Sequence, residues 1–498
     1  MPDSGDSLKT RTAHTLKWNV IDRVASQVLY AVTGVVLARL LSVADFGLVG
    51  AVLVFQAFAS LLVDSGFSYA LLQKKNPTQT DYSTVLWFNM IVATTIYIIL
   101  FFSAPLIADI FQGDSRLIPI SRVMFLSFII NASAIVQTNK LMKQMDVRMV
   151  AVSNSLGLVV AGVVGIGLAV AGYGAWAIVW QTIALGAVKS IVLWTTQRWK
   201  PDFDFSFTSL RSFFNIGSRM MLTSFLNTLF QNIYSFFIGN RAGMVPLGYY
   251  GQSDKWSKMG IMSLYQVVTS SFLPALSAVQ DDDERFLRAC SKMSRLTAYL
   301  LFPATLGLMA MSTPIFHTLF GTKWDPSIIL FQLLLFRGIF TILTGLYNNF
   351  LLSKAHAKTI MWMEVIRDSV AIIALIITLP YLNETRPGNH VWGLELLLWG
   401  QIAASALTFV ITLVYTAKLI GANILRLLLD LAPYATLTLL IIPVMTAAGW
   451  MFSTPLLSLV VEAVVALVLY LGINKLAGSN IQKEVLGYLL KKQVKQSA

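Results

Sequence analysis

The chain has 498 residues, of which 56% are hydrophobic and only 12% are charged, and its net charge is +13. A water-soluble protein carries about a quarter charged residues, so this composition, with a mean hydropathy of +0.69, excludes a soluble protein. The positive charge does not indicate nucleic-acid binding, because the basic residues fall in short clusters between apolar segments. The single cysteine, Cys290, excludes an internal disulfide and a cysteine-ligated metal, and we predict no cofactor.

Apolar segments long enough to span a membrane recur along the whole chain. A helix needs about 20 mainly apolar residues to cross a bilayer. We therefore predict an all-α polytopic membrane protein with fourteen transmembrane helices, at 15–41, 44–71, 83–104, 117–140, 148–171, 173–196, 211–239, 246–280, 293–320, 326–352, 358–380, 391–418, 429–450 and 453–475.

Lysine and arginine are distributed unequally between alternate loops. With the N-terminus inside, the inner segments hold 24 of these residues and the outer segments hold five. Cytoplasmic loops of membrane proteins carry the excess of positive charge. Both termini are therefore predicted to be cytoplasmic.

The sequence also indicates how the helices are grouped. A polar linker at 198–210 separates an N-terminal lobe at 1–197 from a C-terminal lobe at 211–420, and a helix pair with a tail follows at 421–498. We expect two six-helix lobes around a central cavity, together with the terminal helix pair.

Two short patterns repeat between the lobes. Asn19 and Arg23 in the first helix have the same spacing as Asn215 and Arg219 in the seventh, 196 residues later. The sequence FGLVG at 46–50 opens the second helix, and LGYYG opens the eighth after an offset of 201 residues. Such internal repeats are typical of transporters that bind substrate between two halves.

Several basic residues lie inside the predicted spans, where an ionisable group normally faces a partner or a water-filled cavity. Arg23 and Arg219 occupy equivalent places, and two guanidinium groups suit the bidentate binding of a diphosphate. The candidate diphosphate-binding residues are Arg23, Arg219, Lys258, Lys255 and Lys189. For Lys258, a local ion pair with Asp254 is the alternative.

Acidic residues inside the spans are candidates for coupling transport to an ion. They are Asp22, Asp64, Glu364 and Asp368. Glu364 and Asp368 are one helical turn apart, so one of them could hold a proton near neutral pH. The alternative is that Arg367 between them neutralises both.

Gly162, Gly165 and Gly167 lie in the fifth predicted helix. A phosphate-binding lysine and a strand do not accompany them, so they do not form a nucleotide-binding loop. We expect these small residues to let the helix approach a neighbour.

Three blocks of sequence together resemble a known family. ARLL at 38–41 with DFG at 45–47, FLPAL at 272–276 with QDD at 280–282, and LFGTKW at 319–324 are similar to the polysaccharide transport family of the multidrug/oligosaccharidyl-lipid/polysaccharide (MOP) exporter superfamily. The likeness is to its colanic-acid and teichuronic-acid exporters and to O-antigen flippases. It extends from the first helix to about the tenth.

The resemblance implies a fold and an activity. It implies two lobes moving by alternating access in a bacterial inner membrane, and an undecaprenyl-diphosphate-linked oligosaccharide flipped from the cytoplasmic to the periplasmic leaflet. It also implies that the last two helices line a groove for the lipid tail. Glycosyltransferases and a polysaccharide polymerase are the expected partners.

Two other functions stay open. A cation-coupled multidrug or metabolite antiporter of the same superfamily would use the four acids, whereas Arg23 and Arg219 favour an anionic ligand. A membrane-embedded glycosyltransferase or ligase needs positioned catalytic groups, and outer loops of about a dozen residues offer little room for them.

Overall fold

The computed structural model describes residues 8–64, 66–197, 199–485 and 487. The described residues form eighteen α-helices, which are, in chain order, α1 (Leu8–Leu40), α2 (Val43–Asp64), α3 (Phe67–Gln73), α4 (Gln79–Phe102), α5 (Ala104–Ile110), α6 (Leu117–Met124), α7 (Leu126–Lys143), α8 (Val147–Val170), α9 (Trp176–Thr196), α10 (Phe207–Ala242), α11 (Met244–Ser277), α12 (Asp283–Ala310), α13 (Ser312–Leu319), α14 (Asp325–Ser353), α15 (Ala357–Thr378), α16 (Trp392–Ile420), α17 (Ile424–Trp450) and α18 (Pro455–Leu476). The prediction of an all-α membrane protein is confirmed.

Within the described residues, ten helical segments are long and apolar enough to cross a membrane. The pair α12 and α13, bent by 62°, makes an eleventh. The other three predicted spans correspond to α10, α11 and α15, which have sufficient length but a more polar composition. In α15, for example, Glu364, Arg367 and Asp368 fall within two turns.

Three predicted spans are broken helices. The second span consists of α2 and α3, separated at Gly66, whose backbone is left-handed with φ of 69°. A β-carbon at Gly66 would overlap the carbonyl oxygen of Gly217 in α10. A left-handed residue ends a helix, and glycine adopts it without steric cost. The break therefore brings the backbone of α10 against the junction of α2 and α3.

The chain forms two compact units, Met1–Gly248 and Tyr249–Ala498, called unit 1 and unit 2 below. In unit 1, α8 packs against α1 and α9, α7 packs against α4 and α9, and α10 packs against α2 and α3. In unit 2, α14 packs against α12 and α16, α15 against α16, and α17 against α12 and α18. The lobe boundary predicted at the 198–210 linker falls before the division between these units, and it stays a prediction.

Small residues set the helix contacts in unit 1. A β-carbon at Gly162 in α8 would lie 3.0 Å from the Thr33 hydroxyl in α1, and one at Gly165 would lie 3.1 Å from the β-carbon of Gln181 in α9. Gly167 has open space around it. The expectation of close helix packing is therefore confirmed at Gly162 and Gly165, and it is wrong at Gly167.

The two repeated glycine patterns meet in space. A β-carbon at Gly47 in α2 would overlap the Met244 carbonyl at the start of α11, and one at Gly248 would overlap the carbonyl of Val43. Both contacts lie in unit 1. The first turns of α2 and α11 therefore cross with their backbones in contact at equivalent positions of the repeat.

The linker after α9 is held on the start of α4. The amide of Asp202 donates to the Ser83 hydroxyl (3.0 Å), and the amide of Ser206 donates to the Thr84 hydroxyl (3.0 Å). Trp199 is buried, whereas Phe203 is 90% exposed. The linker thus presents apolar rings outward while its backbone is bound to unit 1.

Candidate functional site

Unit 1 contains a polar cavity of about 350 Å³ between α1, α2, α7, α8 and α9, called here the unit 1 cavity. Six of its nine lining residues carry a hydroxyl, amide or ammonium group, namely Ser26, Gln56, Asn131, Asn154, Thr182 and Lys189. Polar groups inside a membrane bundle are expensive unless they face one another, water or a ligand, so this concentration makes the cavity a candidate binding site.

Two glycines leave room for the unit 1 cavity. A β-carbon at Gly157 in α8 would lie 3.1 Å from the Leu185 carbonyl oxygen in α9, and one at Gly186 would lie 2.8 Å from the side-chain oxygen of Asn131 in α7. Both glycines therefore allow their helices to pack closely without filling the space beside Lys189.

Asp22 is tied to the wall of this cavity. Its carboxylate accepts hydrogen bonds from the Ser26 hydroxyl (3.3 Å) and from the Asn154 side-chain amide (3.4 Å). Since Ser26, Asn154 and Lys189 all line the unit 1 cavity, the structure brings together two residues that the sequence singled out separately, Asp22 and Lys189. The cavity lining thus contains a cation, and an acid is hydrogen-bonded to two of its other residues.

Gln56 presents an unused acceptor in the same region. Its side-chain nitrogen donates to the Ser127 hydroxyl at 3.1 Å. Its side-chain oxygen is buried and has no hydrogen-bond partner among the described residues. A buried polar atom without a partner costs free energy, so Gln56 is a polar residue whose place in this bundle the described contacts do not fully satisfy.

The structure describes the side chain of only one of the two candidate arginines. Arg23 follows Asp22 in α1, and its side chain is exposed. Arg219 lies in α10, and its side chain is outside the described part of the chain. α10 packs on α2, where the rings of Phe58 and Phe225 are 5.4 Å apart. The pairing of Arg23 with Arg219 stays a prediction.

The remaining candidates in α11 and α2 have local partners. Lys258 forms an ion pair with Asp254 at 2.7 Å, which confirms the predicted local alternative for this residue. The ammonium group of Lys255 lies 5.4 Å from the ring centre of Trp256. In α2, Asp64 accepts a hydrogen bond from Ser68.

Unit 2 contains a smaller cavity, of about 130 Å³, between α11, α14, α15 and α16. Glu364 and Arg367 line it, beside Tyr265, Asn348 and Thr408. This cavity is called the unit 2 cavity.

Arg367 neutralises the two acids of α15. Its guanidinium lies 2.5 Å from the carboxylate of Glu364 and 3.0 Å from that of Asp368. The alternative in which the triplet is an internal ion network is therefore confirmed geometrically.

Sequence reasoning missed the neutral members of the unit 1 cavity, Gln56, Asn131 and Thr182. Their signal was weak, because amides and hydroxyls are common in membrane helices and do not interrupt an apolar pattern. The available clue was the placement of Gln56 and Asn131 in the middle of otherwise apolar spans.

A model of the family described as "Polysaccharide biosynthesis protein" matches residues 36–329. The chain is 26% identical over 354 residues to the teichuronic acid biosynthesis protein TuaB of Bacillus subtilis, covering 70% of this chain and 72% of that one. It is 25% identical over 380 residues to the lipopolysaccharide biosynthesis protein WzxC of Escherichia coli, covering 74% of this chain and 76% of that one.

Two solved structures share the fold. The lipid II flippase MurJ in an inward closed conformation aligns with a TM-score of 0.67 at 14% identity, over 92% of this chain and 99% of that one. An inward-facing multidrug resistance MATE family transporter of the MOP superfamily aligns with a TM-score of 0.58 at 16% identity, over 79% of this chain and 94% of that one. The described residues contain up to eleven apolar spans, and the family model matches more than half of the chain, so the chain belongs to the polysaccharide biosynthesis family of membrane proteins and shares its fold with a transporter of the MOP superfamily.

Proposed function

We propose that this protein flips an undecaprenyl-diphosphate-linked oligosaccharide from the cytoplasmic to the periplasmic leaflet by alternating access, for the synthesis of a surface polysaccharide. The observation that carries the proposal is the unit 1 cavity, in which three amides, two hydroxyls and one lysine converge. Amides and hydroxyls are donors and acceptors that match the hydroxyl groups of a sugar. Lys189 supplies positive charge for the diphosphate in the cavity, and Arg23, three residues before Ser26 on α1, supplies a second positive charge in our proposal.

The relatives favour the same substrate class. TuaB and WzxC are named for teichuronic acid and lipopolysaccharide biosynthesis, and MurJ is a flippase for a lipid-linked substrate. The antiporter alternative has less support, because Glu364 and Asp368 are already paired with Arg367.

The proposal includes a topology. We infer fourteen spans, with α10, α11 and α15 added to the eleven apolar ones, because each of these three helices is long enough to cross a bilayer. Lys/Arg-rich loops then lie in the cytoplasm with both termini. The location is the bacterial inner membrane, where glycosyltransferases supply the substrate and a polymerase consumes the product.

A transport assay tests the function. Purified protein in proteoliposomes is given a fluorescent polyprenyl-diphosphate oligosaccharide, and a membrane-impermeant reagent reports the labelled lipid that reaches the other leaflet. We expect flipping that depends on the protein and on the saccharide. Export of a cationic dye with no flipping of the lipid would establish the antiporter instead.

Lys189→Gln tests the cavity in the same assay. We expect transport per folded molecule to fall by about tenfold or more, as the loss of one charge-assisted contact of about 1.5–3 kcal/mol predicts. The matched control is Lys200→Gln, because Lys200 is exposed in the linker and lies outside the cavity. Equal activity of Lys189→Gln and wild type would remove the unit 1 cavity from the mechanism.

A further inference from the structure

Unit 2 has another cavity, of about 500 Å³, at one end of its helix bundle. This cavity is larger than the unit 1 cavity and the unit 2 cavity. It lies where α12 and α17 begin and where α18 ends. Four cationic side chains line it, namely Arg288, Lys292 and Arg295 of α12 and Arg426 of α17. It is called the basic cavity below.

The acids near the basic cavity do not neutralise all four cations. Arg295 is bound to the buried Asp430 at 2.6 Å, so this pair belongs to the fold. Lys292 pairs at 2.7 Å with Glu484, which also lines the cavity, and Arg288 pairs with Glu284 at 3.8 Å, but all four of these side chains are more than half exposed. Surface pairs of this kind contribute little and exchange readily with other anions.

Arg426 adds a cation with no acid assigned to it. Its side chain is exposed, and it has no ion pair with any residue in the described part of the chain. Together with Lys292, it offers two adjustable positive groups in the lining of the basic cavity, one from α17 and one from α12. A phosphate group in the cavity would receive charge-assisted hydrogen bonds from both.

The surface beside the basic cavity is apolar. Leu425 and Leu429 in the first turns of α17 are 63% and 58% exposed, and Leu476 at the end of α18 is 89% exposed. In a membrane these side chains meet acyl chains. Cations at helix ends next to such a surface suit an amphiphile with an anionic head, whereas a soluble anion needs no apolar neighbour.

We propose that the basic cavity binds the phosphate headgroup of an anionic membrane phospholipid. The phospholipid is a bound neighbour of α12, α17 and α18 and is not the transported molecule. The residues that line the basic cavity differ from the proposed diphosphate-binding residues Arg23, Arg219, Lys258, Lys255 and Lys189.

Native mass spectrometry of the full-length protein tests this site. The protein is released from detergent after incubation with equal amounts of phosphatidylglycerol and phosphatidylcholine carrying the same acyl chains. We expect phosphatidylglycerol to be bound in about tenfold excess. In Lys292→Gln/Arg426→Gln, that excess should disappear, because the two adjustable cations are gone while Arg295 and Asp430 are intact.

The charge-matched control is Lys358→Gln/Lys418→Gln, which removes two exposed lysines of unit 2 outside the basic cavity and should leave the excess unchanged. If the double variant has a lower melting temperature than wild type in phosphatidylcholine, the binding measurement is repeated with Arg426→Gln alone. Retention of the excess in a folded Arg426 variant overturns the proposal. Displacement of the phospholipid by equimolar inorganic phosphate, or preferential binding of polyprenyl phosphate, also overturns it.

Discussion

Charged side chains within unit 2 hold one another in place, and the triplet of α15 shows how. Arg367 contacts Glu364 at 2.5 Å and Asp368 at 3.0 Å, so its removal leaves two acids one turn apart without a cation. Like charges at this spacing repel each other. All three side chains are at least partly exposed from the protein, which limits the energy involved.

Arg367→Gln should therefore lower the free energy of unfolding by about 1 kcal/mol, or the melting temperature by about 2–4 °C. Adding Glu364→Gln and Asp368→Asn should restore it, because no charge then remains unpaired. The measurement is a melting curve in detergent. Transport in the triple variant with and without a pH gradient also tests the acids as coupling groups: a response to the gradient in wild type that is lost in the triple variant would assign them that role.

Arg23 and Arg219, the arginines of the Asn-x-x-x-Arg repeat, are predicted to bind the diphosphate. Losing one guanidinium from a desolvated site should cost about 2–5 kcal/mol, so Arg23→Ala and Arg219→Ala should each reduce transport per folded molecule by about thirtyfold or more. Lysine should rescue only in part, because it loses the bidentate geometry. Normal specific activity with a reduced yield of folded protein would show that both arginines are structural.

Charged members of the candidate site could be predicted from the sequence, whereas neutral members could not. Asp22 and Lys189 stand out because an ionised group in a membrane needs a reason to be there. Placing the neutral side chains of Asn131 and Thr182 in a membrane costs much less free energy, and single amides and hydroxyls do not interrupt the apolar pattern of a helix. Only the packing of five helices reveals that Asp22 reaches the same cavity as Lys189, through Ser26 and Asn154.

Helix contacts depend on a few positions at which a side chain cannot fit. Gly47→Ala should lower the melting temperature, because the new methyl group overlaps the Met244 carbonyl and must push α2 and α11 apart. The control is Gly167→Ala, also in a helix but with nothing within 4 Å of the new methyl group. Alanine is favoured over glycine in a helix by about 1 kcal/mol, so the control should be neutral or stabilised. Equal melting temperatures for the two variants would contradict the contact.

Element positions follow from hydropathy, but their breaks do not. The span at 44–71 is helical as expected, but it is interrupted at Gly66, where the backbone of Gly217 approaches closely. Hydropathy also places the span at 293–320, yet this span bends by 62° after Ala310. Long-range contacts of this kind leave little trace in a local sequence window.

At the scale of the whole molecule, the loop charges predict which side each end occupies. Reporter fusions after Gln73, after Arg198 and at the C-terminus should all report the cytoplasm. Cytoplasmic and periplasmic reporters at each position provide the matched comparison. A periplasmic signal at any of the three positions would reverse or break the proposed arrangement of fourteen spans.

The crossing of α2 and α11 also constrains how this chain can change over time. Gly47 contacts the backbone of Met244, and Gly248 contacts the backbone of Val43. At each of these positions a larger side chain would overlap the backbone of the other repeat. A recombinant gene that joins the first half of this protein to the second half of a homologue takes one glycine from each parent. Such hybrids should assemble only when both parents have kept theirs, so the two halves, although free to diverge elsewhere, must be inherited here as a matched pair.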